Sequence, residues 1–354
     1  MSYLRNTWYV ASWSSDLDVK PIGRRFLGEP VVLYRDEQGE PVALAGRCPH
    51  RFAPLGLGTV VGDAIECPYH GLRFGKGGEC VLNPHGDIPK AAALRVYPVV
   101  ERNGVIWIWM GDAAIADDST IADTTFLADT EHYATVTGYL HVSANYQLVI
   151  DNLLDLTHAS YIHRGDLSSD EFGGDHMTHR FQQEGGSIHS NYIFADVAPS
   201  PGLAVFWPHG RTDVRAFMHL TMASTLFLDF RMGEVGGDPD QGVFLPSLHL
   251  IVPETENTTH YFYALGRNVA LDSAEVTAAV EALTQRAFTQ EDEPMIRACQ
   301  EMMGTTDLLS LNPVMLKSDV ASVRARLLLA KLMREEQSGA ATRADPAAVM
   351  ALSA

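Results

Sequence analysis

The chain has little cysteine and a deficit of positive charge. Four cysteines in 354 residues exclude a disulfide framework, and two of them lie in Cys/His motifs with metal-ligand spacing, which points to a reducing compartment. The other two, Cys80 and Cys299, are expected as buried free thiols. Against 44 acidic residues stand 26 basic ones, a formal charge of −18 that no Lys/Arg run offsets, which argues against nucleic acid as a partner. No apolar run approaches the roughly 18 residues that span a bilayer, and the opening MSYLRNTWYV lacks a secretory apolar core. A cytoplasmic enzyme with no membrane segment is the expectation. No GxGxxG follows a strand pattern, and GKGG at Gly75 lacks the strand–turn–helix setting of a dinucleotide site. Any electrons needed must therefore come from another protein.

The length favours two domains. From Thr7 to about Met110, short apolar runs such as VVLYRDEQGEPVALAG and GVIWIWMGD alternate with Gly, Pro and Asp, the pattern of small antiparallel strands. A polar Ala/Asp stretch at 111–123 marks the boundary, giving domains over 1–115 and 116–336 and a disordered tail over 337–354. The second part mixes helix and strand. It has a helix near 143–162, strands SLHLIV and THYFYALGRN, a helix near 273–291 and a last helix from an N-cap at Ser318 toward Glu336. The Gly-, Pro-, Asp- and His-rich segment 165–215 reads as loops over a scaffold. The fold class is α+β.

The first constellation is CPH, then CPYHG, which supplies Cys48, His50, Cys67 and His70. Two loops each offer one thiolate and one imidazole, the ligand set of a Rieske [2Fe–2S] centre, in which two cysteines hold one iron and two histidines the other. Structural zinc uses the same residue types, but its pairs read C-x₂₋₄-C and H-x₃₋₅-H, whereas each loop here mixes the two. Pro49 and Pro68 stiffen the loops and Gly71 permits a turn. Arg51, Arg73 and Lys76 around them are either a docking patch for an electron donor or ordinary surface charge.

The second constellation is NLLDLTHASYIH, with Asn152, Asp155, His158 and His163. On one helix the first three share a face. His163 falls off it, so the helix must distort or end just before it, with Gly165 as terminator. Two histidines need a carboxylate to complete the triad that holds Fe(II) with open positions. In FTQEDEPMIRAC, Asp292 shares a stripe with Phe288, Met295, Ile296 and Cys299, where an unpaired charge is costly and a metal would resolve it. Pro294 kinks that helix or begins a new one. Glu291 and Glu293 lie on other faces and read as solvated, and His176 and His179, in a Gly-rich loop, read as surface or pocket-lining groups.

These motifs, with NTWYVA at Asn6, CPHRFAPL at Cys48, CPYHGL at Cys67, IWIW at Ile106 and DNLLDLTHASYIH at Asp151, resemble Rieske non-haem iron oxygenases of the vanillate O-demethylase and dicamba monooxygenase group. The resemblance implies an all-β Rieske domain, then a helix-grip catalytic domain, assembled as a head-to-tail homotrimer with a [2Fe–2S] cluster and a mononuclear Fe(II). It implies Asp155 as the bridge between the cluster histidine His70 of one subunit and the iron ligand His158 of the next, with Asn152 near the iron and Asp292 as third ligand. The implied chemistry is O₂-dependent O-demethylation of a methoxylated aromatic, releasing formaldehyde, with electrons from NAD(P)H through a ferredoxin or flavin reductase. Hydroxylation of an aryl methyl or ring carbon is the alternative, and a Rieske electron-transfer protein the non-enzymatic one. By the same resemblance, His249, Asp229 and Leu283 are the substrate-pocket candidates.

Overall fold

A computed structural model describes residues 3–339. Its packing separates two units, Tyr3–Ile121 with Val252–Thr255, and 122–251 with the residues from Glu256 on. The boundary falls at 121/122, a few residues past the expected 115/116. Short turns at Ala113–Ile115 and Asp118–Thr120 are tied to the first unit by Trp8 Nε1 donating to the Asp117 carbonyl and Arg102 donating to that of Asp118. The expected disordered tail lies, from residue 340, outside the described residues.

The first unit is built from three small antiparallel sheets, because its apolar runs are only a few residues long and are cut by turn formers. One sheet orders Trp8–Trp13, Val105–Trp109 and Val99–Arg102; a second orders Ile22–Phe26, Glu29–Arg35, Pro41–Ala45 and Val96–Tyr97. The third, Thr59–Val61, Ala64–Glu66, Arg73–Phe74 and Cys80–Leu82, carries one Cys/His loop between its middle strands. The other loop follows the strand Pro41–Ala45. A core including Leu44, Leu55, Ile65 and Phe74 packs against Cys48 and Cys67, each apolar side chain contributing roughly 1.5–3 kcal/mol by burial.

The second unit is one eight-stranded sheet. Its order is Ala134–Val142, Thr258–Arg267, Ser247–Thr255, Thr225–Gly233, Thr212–Thr221, Ser187–Val197, Met177–Glu184, with Val243–Phe244 on Thr225–Gly233. The segment 165–215, expected as loops, thus contains two long strands. Gly185, at φ +53°, turns the hairpin between them, and polar residues at buried positions, Ser187, His189 and Ser190, conceal the alternation. The helices are α1 (Tyr146–Leu154), α2 (Ala159–Ile162), α3 (Pro201–Ala204), α4 (Ala274–Arg286), α5 (Glu293–Met303) and α6 (Val320–Gln337). Ser273 caps α4 by accepting from Val276 N at 3.2 Å. Ser318 does not cap α6, because it sits inside a preceding 3₁₀ turn, Lys317–Asp319. The buried Arg326 of α6 donates to Asp151 of α1 at 2.9 Å and to Gln147 Oε1 at 3.0 Å, which fixes the helix that carries Asn152.

Candidate metal centres and substrate cavity

The two Cys/His loops close in the same way. Cys48 N donates to Ala53 O and Phe52 N to Cys48 O; Cys67 N donates to Leu72 O and Gly71 N to Cys67 O, all at 2.8–3.1 Å. The fifth residue of each loop has positive φ, Gly71 at +71° and Phe52 at +58°. Glycine meets that demand freely, whereas phenylalanine does so at a cost. Cys48 and Cys67 are 1% and 2% exposed, and the His50 and His70 rings lie 4.5 Å apart. The donor set fits a cluster on two counts. Burial pushes the Cys48 thiol up to about 11, so a thiolate there requires a bound cation. His70 Nδ1 is buried with no hydrogen-bond partner among the described residues, an orphan that iron ligation would satisfy. Of the basic group, Arg73 pairs with Glu66 at 2.6 Å and Lys76 with Asp36 at 2.8 Å, so of the two readings these contacts favour ordinary surface charge for those two residues.

In the second unit α1 stops at Leu154. Asp155 is extended there (φ −113°, ψ 90°) and its Oδ1 accepts from Thr157 N at 3.0 Å and Thr157 Oγ1 at 2.6 Å, starting a new turn through His158. The shared helical face expected for Asn152, Asp155 and His158 is therefore broken; the chain bend, not helical periodicity, aims them. His163 follows the end of α2 and Gly165 has φ +87°, the glycine stop that the spacing predicts. Asp292 ends a π-helical stretch, Ala287–Asp292, before α5 begins with Pro294 in its first turn. Lacking an N–H, Pro294 leaves one carbonyl of the preceding turn without its helical donor, which favours the wider winding. Asp292 and Ile296 are buried, but Met295 and Cys299 are exposed, which corrects the apolar-stripe expectation and that of a buried Cys299. Cys80 is buried.

One ligand atom from each of His158, His163 and Asp292 lies within 4.8 Å of the others. His158 Nε2 is 3.6 Å from Asp292 Oδ1 and His163 Nε2 is 3.3 Å from Oδ2. Both histidines use Nδ1 elsewhere: that of His158 donates to the Asp155 carbonyl at 2.6 Å, and that of His163 to Glu291 Oε2 at 2.7 Å. With the Nδ1 protons so committed, two imidazole lone pairs face one carboxylate, which is repulsive unless a cation sits among them. Burial lowers the His158 pKa, keeping it in the neutral, ligating form. Asn152 Nδ2 donates to Asp292 Oδ1 at 3.1 Å. Glu291, expected in solvent, instead orients His163; the π-helical winding that turns it inward has no signature in a 3.6-residue wheel. Glu293 is also partly buried, 3.4 Å from Arg297. His179 stacks on Tyr192 and His176 binds the Ala195 carbonyl, so neither joins the triad.

A cavity of about 140 Å³ opens on His158, His163 and Asp292. Its walls are chiefly Phe172, Phe194, Met218, Leu228, Phe230 and Phe288, with His249, Ser247 and Thr284 as polar groups. His249 is thus brought to the cavity; Asp229 and Leu283 are not. Asp229 is on the other face of its strand, paired with Arg215 at 2.8 Å and Arg231 at 2.9 Å, because alternation sends Leu228 and Phe230 inward. Leu283 lines a separate cavity beside Asp166 and Arg286, one residue off the inward-facing Thr284. Gly138 lies opposite Tyr263, whose ring crosses the place a side chain at Gly138 would occupy and packs on Phe288 at 4.7 Å.

Residues 142–335 match the vanillate O-demethylase oxygenase C-terminal domain, and residues 7–98 match the Rieske [2Fe–2S] domain. The chain belongs to the Rieske non-haem iron oxygenases of the vanillate O-demethylase type. It is 37% identical to the oxygenase component of dicamba O-demethylase from Stenotrophomonas maltophilia, over 95% of this chain and 99% of that one. It is also 37% identical to the oxygenase component of chloroacetanilide N-alkylformylase from Rhizorhabdus wittichii, over 94% and 97%. Dicamba monooxygenase bound to 3,6-dichlorosalicylic acid superposes with a TM-score of 0.90 at 36% identity, covering 96% of this chain and all of that one; another structure of that enzyme holds non-haem iron and dicamba. This oxygenase is accordingly an oxidoreductase component with a Rieske cluster and a mononuclear iron. Among the described residues, no helix is long and apolar enough to cross a membrane.

Proposed function

We propose that this oxygenase O-demethylates a methoxylated arene, with Cys48, His50, Cys67 and His70 holding the cluster and His158, His163 and Asp292 holding the iron. The observation that carries this reading is the largely apolar cavity opening directly on the triad. A dry cavity of about 150 Å³ accommodates benzene, so this one suits a single substituted ring. The chemistry the two centres supply when bound is one-electron delivery and O₂ activation. One oxygen atom enters the methyl C–H bond and the other leaves as water, with two electrons from NAD(P)H through a separate ferredoxin or flavin reductase. The hydroxylated methoxy group then collapses to a phenol and formaldehyde.

The protein's own part is positioning and exclusion of water. Phe288, Phe230 and Leu228 enclose the ring, and Asn152 holds Asp292 in place. Asp155 Oδ1 is occupied by Thr157 and Tyr192, and Oδ2 has no partner among the described residues; we assign it to the partner subunit's His70 in a head-to-tail homotrimer. Exposed apolar surface supports such an assembly. Met302 and Val314, 88% and 90% exposed, border the groove that contains Asp155 and His158, while Phe52 and Tyr69 stand exposed on the cluster loops. Such patches mark association sites. The assembly is placed in the cytoplasm.

With a compatible reductase and NADH, stoichiometric formaldehyde from a methoxyarene is the expected result. Ring hydroxylation or hydroxymethyl products with no formaldehyde would refute the assignment.

A further inference from the structure

An arene that is to be oxygenated must first pass the wall of the cavity, and a route argued from that wall rests on the reading of the cavity as the demethylation site. Most of the wall is laddered strand or helix: Met218, Leu228 and Phe230 come from the sheet and Thr284 from α4. One part is neither. Leu167, Ser168 and Phe172 belong to an irregular segment that lies between Gly165 and the pair Gly173–Gly174, and Leu203 belongs to the four-residue α3.

A second cavity, of about 190 Å³, lies on the other side of that part. Three pairs of consecutive residues divide between the two. Leu167, Leu203 and Thr284 line the inner cavity, whereas Asp166, Gly202 and Leu283 line the outer one. The partition is therefore a single layer of chain, made of the segment 166–172, α3 and one turn of α4. Val205, Phe206 and Val280 also line the outer cavity, and it meets solvent at Val205, which is 53% exposed.

The partition is bound into one piece and held to its surroundings weakly. The Asp166 carbonyl accepts from Gly202 N at 3.2 Å and from the hydroxyl of Ser200, which caps α3 by accepting from Leu203 N at 3.3 Å. Toward α4, Asp166 is ion-paired with Arg286, and at the far end Glu171 is paired with Arg211 at 2.9 Å. All four side chains are partly exposed, and ion pairs in such positions are readily broken. Other ties are single hydrogen bonds, such as Ser160 Oγ to the Phe172 carbonyl at 2.7 Å and Ser169 Oγ to the Ala198 carbonyl at 3.0 Å. Gly165 at φ +87° and Gly174 at φ +57° flank the segment, and glycines there absorb backbone rotation at little cost. The outer cavity is large enough for one aromatic ring, and its lining is apolar except at the Asp166–Arg286 pair.

We infer that the outer cavity is an entry site for a single-ring arene, and that the segment 166–172 with α3 is a lid, latched by Arg286 on Asp166, whose opening admits the ring to the inner cavity.

The test uses the full chain, loaded with cluster and Fe(II) and kept anaerobic, with 4-fluoroanisole as the probe. Comparison with chain stripped of the mononuclear iron separates probe in the inner cavity, whose ¹⁹F relaxation that iron speeds strongly, from probe in the outer one, where the effect is weaker. Two bound populations are expected. L283W, which fills the outer cavity, is expected to abolish the outer population and slow filling of the inner one. D166N, which breaks the latch, is expected to quicken entry and exit together, by roughly 2- to 5-fold. A single bound population, inner filling indifferent to L283W, or exchange rates unmoved by D166N would overturn the inference; D166N and the wild-type populations decide the matter if L283W does not fold. Turnover of the same probe with reductase and NADH keeps the two readings apart. Two bound populations with oxygenation but no formaldehyde would refute demethylation and leave the lid standing, and formaldehyde release with a single bound population would do the reverse.

Discussion

Replacing Glu291 separates ligand positioning from ligation. Its Oε2 accepts from His163 Nδ1 at 2.7 Å, and its Oε1 lies 3.8 Å from Arg286, which is itself ion-paired with Asp166. The carboxylate fixes the tautomer that presents His163 Nε2 to the metal and raises the basicity of that nitrogen. Outer partners of this kind are worth about 10–100-fold in metal affinity, which is roughly 1.4–2.7 kcal/mol at 1.4 kcal/mol per tenfold. Glu291→Gln keeps an acceptor but loses the charge, so it belongs at the low end, near tenfold; Glu291→Ala removes both and belongs near a hundredfold. Anaerobic Fe(II) or Co(II) titration of chain whose cluster is intact but whose mononuclear site has been stripped measures this, with the visible absorbance of the cluster as internal control. Affinities within twofold of wild type for both variants would refute the reasoning, and so would parallel loss of the cluster, which would indicate general instability.

Gly138→Ala is expected to displace the Tyr263 ring that crosses that position and, through it, Phe288 in the cavity wall. The cost is about 1–3 kcal/mol of overpacking, read as a lowered Tm together with a raised KM. Gly71→Ala places a side chain at φ +71°, with its Cβ 3.2 Å from Pro84 Cγ, and should cost on the order of 1–2 kcal/mol and loosen the cluster. Phe52→Gly, at the equivalent point of the other loop, should retain the cluster; bleaching rates in urea compare the two. Acidification should destabilise the fold through His219 and His249, whose burial lowers each pKa to about 4. Unfolded, they titrate near 6.5, so stability is full above that pH, falls as the pH drops from 6.5 toward 4, by on the order of a few kcal/mol, and levels off below 4. Urea midpoints between pH 7 and 4.5 measure it, and a flat profile would contradict the assignment.

The residues that reveal themselves in sequence are those whose chemistry is tied to short spacing. Cys48-x-His50 and Cys67-x-x-His70 need only local loops to become ligands, and the loops do close on themselves within six residues. His158 and His163 are legible for the same reason, although the geometry that aims them is a break at Asp155 rather than the continuous helix that periodicity suggests. What is not legible depends on winding or on strand register. A π-helical stretch adds most of a residue per turn, and that shift brings Glu291 onto His163 while leaving Asp292 on the triad. Register acts more severely, since a one-residue slip in a strand reverses its face. Asp229 and Leu228 are neighbours in sequence, yet one neutralises two arginines outside the cavity and the other forms its wall. An inward Asp229 would carry Arg215 and Arg231 toward the ring with it, because the three share one face of the sheet. Nothing in composition or motif spacing distinguishes the two arrangements; the cross-strand pairing of Phe217 with Asp229 and of Arg215 with Arg231 does.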